Sequence, residues 1–268
     1  MSTQMELAGG KIRAGIADGV GRVVFNQPEK RNAMSVDMWE GMGQALDRFA
    51  EDPAVRCVVL QGAGDKAFVS GADISQFEKN RANADAQREY DRLTGAGRAK
   101  LSAFPKPVIA QIRGFCMGGG LGIAMSTDIR IASDDSQFGI PAAKLGIAYG
   151  FDMVRALVSL VGPAHAHMIL MTGERLDARE AERVGLVNRV VPVAELEATV
   201  ARLTATLAVN APLSLRTNKM TVKAVLQDAA ERDMAAIRAA MAACFDSSDY
   251  REGRRAFMEK RKPAFTGT

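Results

Sequence analysis

The sequence predicts an α/β fold, a parallel sheet with helices between its strands and an all-helical tail after it. Three observations carry this. Residues 55–60, 108–112 and 129–132 are short apolar runs rich in β-branched side chains, spaced widely enough for crossovers, the strand–crossover–strand pattern of a parallel sheet. The first run has no polar alternation beyond Arg56, as expected of a strand buried on both faces. Beyond Gly150 the apolar residues recur at helical spacing instead.

Taken in order, residues 11–17 and 20–25 flank Asp18-Gly19, a dipeptide that favours a tight hairpin turn, so the chain opens on two paired strands. Ser35 caps a helix in which Met38, Met42, Ala45 and Phe49 repeat at helical spacing and which stops before Pro53. Residues 74–103 are polar and mixed, and read as loose helical cover. The strand at 108–112 follows Pro105 and Pro107, and a glycine cluster at 118–120 opens a helix before the strand at 129–132. Asp177-Ala-Arg-Glu180 reads as a capping box, with Gly185 ending that helix. Residues 186–191 form a strand stopped by Pro192. Val193, Leu196, Val200, Leu203 and Leu207 mark an amphipathic helix, and 212–226, 229–244 and 247–261 continue the helical pattern. The organisation is an α/β core over residues 1–192 and a helical region over 193–268. Each helix of that region has one apolar face that must pack on something, a partner subunit among the candidates.

Hydrophobic residues are 47% and charged residues 25% of the 268, a globular balance rather than a disordered one. The net charge of +4 suits an anionic ligand, yet aromatics at 6% and the lack of a dense basic stripe argue against nucleic acid. Cys57, Cys116 and Cys244 have no paired spacing and read as buried free thiols. His165 and His167 would point apart on a helix, so no metal site is expected. Residues 1–10 lack a basic segment followed by an apolar one, and the apolar run at 154–161 is too short to span a bilayer. A cytoplasmic setting with no membrane partner is the expectation.

Two stretches carry chemistry. Phe68-Val-Ser-Gly-Ala-Asp-Ile74 follows the first buried strand, and Gly71 lets the backbone turn the N–H of Ala72 outward. Gly114-Phe-Cys-Met-Gly-Gly-Gly120 follows the second and opens a helix, whose first N–H groups have no internal partner. If the N–H groups of Ala72 and Gly119 converge on one carbonyl oxygen, they stabilise an enolate or tetrahedral oxyanion, each by roughly 3 kcal/mol in the transition state. Each stretch alone also fits an ordinary strand-to-helix turn; their succession after consecutive strands is the more specific signal.

Pro28-Glu-Lys-Arg-Asn-Ala-Met34, the two stretches above, Lys106-Pro-Val-Ile-Ala110, Thr127-Asp-Ile-Arg-Ile-Ala132, Gln137-Phe-Gly-Ile-Pro141, Thr172-Gly173 and the basic ending from Arg251 to Lys262 follow one another in an order that strongly resembles the crotonase (enoyl-CoA hydratase/isomerase) superfamily. The resemblance covers roughly residues 12–265. It implies a crotonase-like spiral of ββα units with a helical C-terminal trimerisation region, assembled as a homotrimer or a dimer of trimers. It also implies an acyl-CoA thioester as ligand, with no cofactor beyond its coenzyme A moiety. By the same resemblance the oxyanion-hole donors are the N–H groups of Ala72 and Gly119. The CoA contacts fall near Arg31, Ala33, Ser70 and Ile74 and, from a neighbouring subunit, Phe257 and Lys260. Read without the resemblance, the basic C-terminal run is a solvated helix face; with it, the charges have phosphates to pair with.

The pattern also departs from the family. In its hydratases one glutamate lies two residues past the triple glycine and a second follows the proline of the Gln-Phe-Gly-x-Pro stretch. Here those positions are Gly122 and Ala142, which line the acyl pocket and carry no proton. A third position, used by dienoyl-CoA isomerases and a dehalogenase, is Gly150. Tyr149 and Asp152 flank it and are the candidate replacements, either as acid–base groups or as a pocket wall and a helix N-terminal carboxylate. Tyr149 resembles the tyrosine of methylmalonyl-CoA decarboxylase, which has a histidine where Ala72 stands. Lys144 reads as solvent-facing, Asp73 and Asp128 as structural hydrogen-bond anchors, and Glu174 as surface. Three readings follow: an enoyl-CoA hydratase or isomerase with relocated acid–base groups, a decarboxylase or thioester hydrolase, and an acyl-CoA binder without chemistry. The small residues at 122 and 142 point to an enlarged acyl pocket.

Overall fold

The opening hairpin forms where Asp18-Gly19 places it. In the computed structural model, which describes residues 4–73 and 84–268, β2 (Ile12–Ala17) pairs antiparallel with β3 (Val20–Phe25). Asp18 and Gly19 both have positive φ, 51° and 77°, the turn whose twist matches the strands. A further strand, β1 (Gln4–Leu7), adds antiparallel to β2. From β3 the sheet continues in parallel through β4 (Cys57–Gly62), β6 (Val108–Ile112), β8 (Ile129–Ser133) and β11 (Arg189–Val191). Val58 and Leu60 face the main core, while Cys57 and Val59 face a second apolar cluster on the opposite side. The expectation of a doubly buried strand therefore holds.

A second, smaller sheet accompanies the first. It pairs β5 (Ala67–Val69), β7 (Phe115–Met117) and β9 (Gln137–Gly139) in parallel, with β10 (Leu176–Asp177) antiparallel at its edge. Each turn of the chain thus contributes a long strand, a short strand and a helix. This is the mixed α/β arrangement of ββα units expected from the resemblance.

The helices bury the faces that their periodicity marks. Met38, Met42, Ala45 and Phe49 of α1 (Val36–Glu51) are all buried, each large side chain contributing roughly 1.5–3 kcal/mol. Ser35 stands at its N-cap, but its hydroxyl donates to the Asp37 carboxylate rather than accepting a backbone N–H. The segment read as loose cover contains a regular helix, α2 (Ala84–Ala103). After it come α3 (Gly119–Met125) and α4 (Phe151–Thr172), then α5 (Ala178–Arg183). Only half of the expected capping box forms at α5. Asp177 accepts from the Glu180 N–H at 2.8 Å, while the Glu180 carboxylate turns to Arg183. Helix α4 is longer than the apolar run that marked it. By length and composition it could cross a membrane, but Gly162, with φ of 71°, and Pro163 break it midway.

The remaining elements are helical: α6 (Leu196–Val209), α7 (Pro212–Val225), α8 (Met234–Asp246) and α9 (Ser248–Met258). Leu196, Val200 and Leu207 of α6 cover the chain's own sheet on the side of Cys57 and Val59. Cys57 and Cys116 are buried as expected, and burial pushes the Cys57 thiol up to about 11; Cys244 is half-buried and in contact with the Thr217 hydroxyl.

Asn32 ties the opening of the chain to β5. Fully buried, it accepts from the Gln27 N–H at 3.0 Å and donates to the carbonyls of Ala63 and Ala67 at 2.9 and 2.7 Å. Asn32→Ala leaves those groups unpaired and places alanine at a φ of 56°. It is expected to lower stability by about 2–4 kcal/mol in urea denaturation.

Candidate functional site

Two strand exits meet at one wall of the molecule. After β5, Gly71 takes a φ of 125°, a conformation that L side chains rarely adopt, and the chain doubles back along Met34. The Met34 N–H donates to the Gly71 carbonyl at 2.8 Å and the Asp73 N–H to the Met34 carbonyl at 2.9 Å. The Asp73 carboxylate accepts from Lys30 at 2.9 Å and so anchors this turn, as expected. After β7, Gly118 has a φ of 51° and donates its N–H to the Gly139 carbonyl at 2.8 Å, leading into α3. A Cβ on Gly120 would lie 2.1 Å from the Val69 carbonyl oxygen, so only glycine permits this approach. The result sets Ala72 beside Gly119. A Cβ built on Gly119 would stand 3.9 Å from the Ala72 nitrogen, and neither N–H donates to a backbone acceptor among the described residues.

These two residues line a cavity of about 1430 Å³, together with Ser70, Ala142, Tyr149 and Asp152. The Tyr149 hydroxyl comes within 3.7 Å of the position a Cβ on Gly118 would take. The Asp152 side chain, 92% exposed, stands at the cavity mouth with Arg155 3.9 Å away. Ala142 is buried on a short 3-10 turn (Pro141–Leu145). Gly122 does not open into the cavity. The Met153 methyl would lie 2.5 Å from a Cβ there, so a thioether occupies the space beyond Gly122 and the expected enlargement of the pocket on this side is cancelled. Lys144 lays its stem over Gly173, exposed as predicted, and Glu174 is also on the surface. Asp128 accepts from the Val108 N–H and from Lys219, both at 2.7 Å, an anchor as expected.

The other residues assigned by resemblance divide into two groups. Ser70 donates its N–H to the Arg31 carbonyl at 3.1 Å, so these two adjoin, with Ala33 buried beside them. The Arg31 guanidinium lies over the Phe115 ring at 5.2 Å, and Arg175 lies over the same ring at 5.1 Å. Phe257, 82% exposed, and Lys260 lie at the end of α9 and do not line the cavity in the single chain. Ile74 lies outside the described residues.

Several cavity residues were not foreseen. Tyr90, Thr94 and Arg98 form one face of α2 and line the cavity with Trp39. Their spacing of four was the available signal, obscured by the polar residues around them. Arg98 lies over the Trp39 ring at 5.5 Å. Burial pulls its guanidinium below the ordinary arginine range, against the opposing influence of Asp91, Tyr90, Tyr149 and Asp152.

The family model described as enoyl-CoA hydratase/isomerase matches residues 15–268. The chain is 37% identical over 240 residues to the short-chain-enoyl-CoA hydratase of Clostridium acetobutylicum, which spans 90% of this chain and 91% of that protein. It is 38% identical over 241 residues to the crotonyl-CoA hydratase of Syntrophomonas wolfei, with 90% and 92% covered. A solved structure of an enoyl-CoA hydratase/carnithine racemase from Magnetospirillum magneticum matches with a TM-score of 0.93 at 35% identity, covering 98% of each chain.

The contact between Met153 and Gly122 has a measurable consequence. Gly122→Glu made alone overpacks this wall and is expected to cost about 1–3 kcal/mol. Adding Met153→Ala should restore most of that loss in urea denaturation, whereas no recovery would show that Met153 is not the obstacle.

Proposed function

The chain belongs to the enoyl-CoA hydratase/isomerase family, and from that premise we propose that it activates acyl-CoA thioesters through an oxyanion hole made by the N–H groups of Ala72 and Gly119. The observation that carries the reading is the adjacency of these two donors, both unengaged among the described residues, on one cavity wall. A thioester carbonyl placed between them gains most as it becomes an enolate, because the donors are fixed before charge develops. Each is worth about 10²–10³ in rate.

The proton-transfer group in this reading is Tyr149. The positions that carry glutamates in the family's hydratases are Gly122 and Ala142 here. Asp152 faces solvent, whereas the Tyr149 hydroxyl reaches toward Gly118. In hydration, water adds to the β-carbon and the electron pair moves to the thioester oxygen. Tyr149 then gives its proton to the α-carbon and recovers one from the added water. No cofactor beyond coenzyme A enters this scheme. A second reading, decarboxylation or thioester hydrolysis through the same donors, is favoured by the lack of a carboxylate at 122 and 142, since an enolate formed by loss of carbon dioxide needs no paired glutamates.

The proposal includes a trimer, or a dimer of trimers, in which the C-terminal helices pack on a neighbour and bring Phe257 and Lys260 to its CoA site. The exposure of Phe245, Phe257 and Met258, at 61%, 82% and 81%, supports this. The test is crotonyl-CoA turnover, followed as loss of the enoyl thioester absorbance. Tyr149→Phe is expected to lower kcat by about 100-fold or more, with Asp152→Asn the milder variant. Absence of turnover in the unaltered protein would remove the hydratase reading, and a larger loss in Asp152→Asn would move the proton-transfer role to that residue.

A further inference from the structure

Arg98 is a cation inside the cavity that the chemistry above does not use. It belongs to the cavity-lining face of α2 with Tyr90 and Thr94, and its guanidinium lies over the Trp39 ring at 5.5 Å. Among the described residues no carboxylate forms an ion pair with it, although Asp91 and Asp152, which line the same cavity, act on it electrostatically; Asp152 has Arg155 as its ion-pair partner. A guanidinium carries five N–H donors and stays charged, so a half-buried one with no ion-pair partner among the described residues is placed to take an anionic group of a ligand in the cavity. Tyr149 lines the same cavity as Arg98, and its hydroxyl approaches Gly118. The cation and the Ala72 and Gly119 N–H groups therefore line one cavity.

We propose that Arg98 is a specificity-determining residue that binds a carboxylate on the acyl group, which makes CoA thioesters of dicarboxylic acids the preferred substrate class. The planar fork suits a carboxylate held by two parallel hydrogen bonds, and the stacking on Trp39 holds that plane in place before the ligand arrives. This inference rests on the acyl-CoA reading above.

The experiment is calorimetric titration of the full-length protein with saturated esters, which cannot be hydrated. Succinyl-, glutaryl- and adipyl-CoA are compared with butyryl-, valeryl- and hexanoyl-CoA, pairs that differ in a terminal carboxylate against a methyl. The unaltered protein is expected to bind at least one dicarboxylic ester about 10- to 100-fold more tightly than its partner. Arg98→Met should bring that ratio close to one, and Arg98→Lys, which keeps the charge without the fork, should give an intermediate ratio. A ratio near one for every pair in the unaltered protein overturns the inference, and that comparison needs no variant to fold. So does a preference that survives Arg98→Met, or an equal loss for both members of a pair, which would assign Arg98 to the CoA moiety or to packing. Selective binding without crotonyl-CoA turnover would defeat the Tyr149 chemistry and leave this inference standing. If none of the esters binds, both fall.

Discussion

The structure depends on one close backbone approach, that of Gly120 to the carbonyl of Val69. No side chain fits between them, so β5 and β7 can pair in parallel, Val69 opposite Cys116, only because this position is glycine. That pairing sets the turn at Gly71 beside the turn at Gly118 and leaves the N–H groups of Ala72 and Gly119 as neighbours. Met34 fixes the first turn by its two hydrogen bonds to Gly71 and Asp73, and Asn32 fixes the strand before it. A site built from backbone is insensitive to most side-chain changes, but it is sensitive to any shift in sheet register.

Around that pair, Gly122 is covered by Met153 and Ala142 is buried. Polar side chains line the cavity from the segment that opens α4 and from the face of α2. Tyr149 lines the cavity with Arg98, its hydroxyl close to Gly118. On the proposed reading, the backbone pair polarises the thioester and these side chains set what surrounds the acyl group. That is how one scaffold serves several acyl chemistries.

Much of this was legible in the sequence, for identifiable reasons. The hairpin at Asp18-Gly19 is a local matter of φ, and the strands at 57–62, 108–112 and 129–133 declare themselves as apolar runs because both of their faces are buried. The second sheet did not show, since β5, β7 and β9 have three residues each, too few to display a period. Ser35 marked the helix start correctly, yet its hydroxyl found the nearer Asp37 carboxylate. Ala72, Gly119 and Tyr149 were named from the turns and the resemblance, and the structure sets all three on the cavity wall. Arg98 and Met153 were not named, because they reach that wall only when α2 and α4 fold over the glycine turns. The expected CoA contacts at Phe257 and Lys260 require a neighbouring subunit and stay apart from the cavity in one chain.

The most direct measurement is isotope-edited infrared spectroscopy of an acyl-CoA labelled with carbon-13 at the thioester carbonyl, bound to the unaltered protein. If the Ala72 and Gly119 N–H groups hold the carbonyl oxygen, its stretching band lies at lower frequency in the complex than in water. A band at or above the aqueous position would contradict the oxyanion hole.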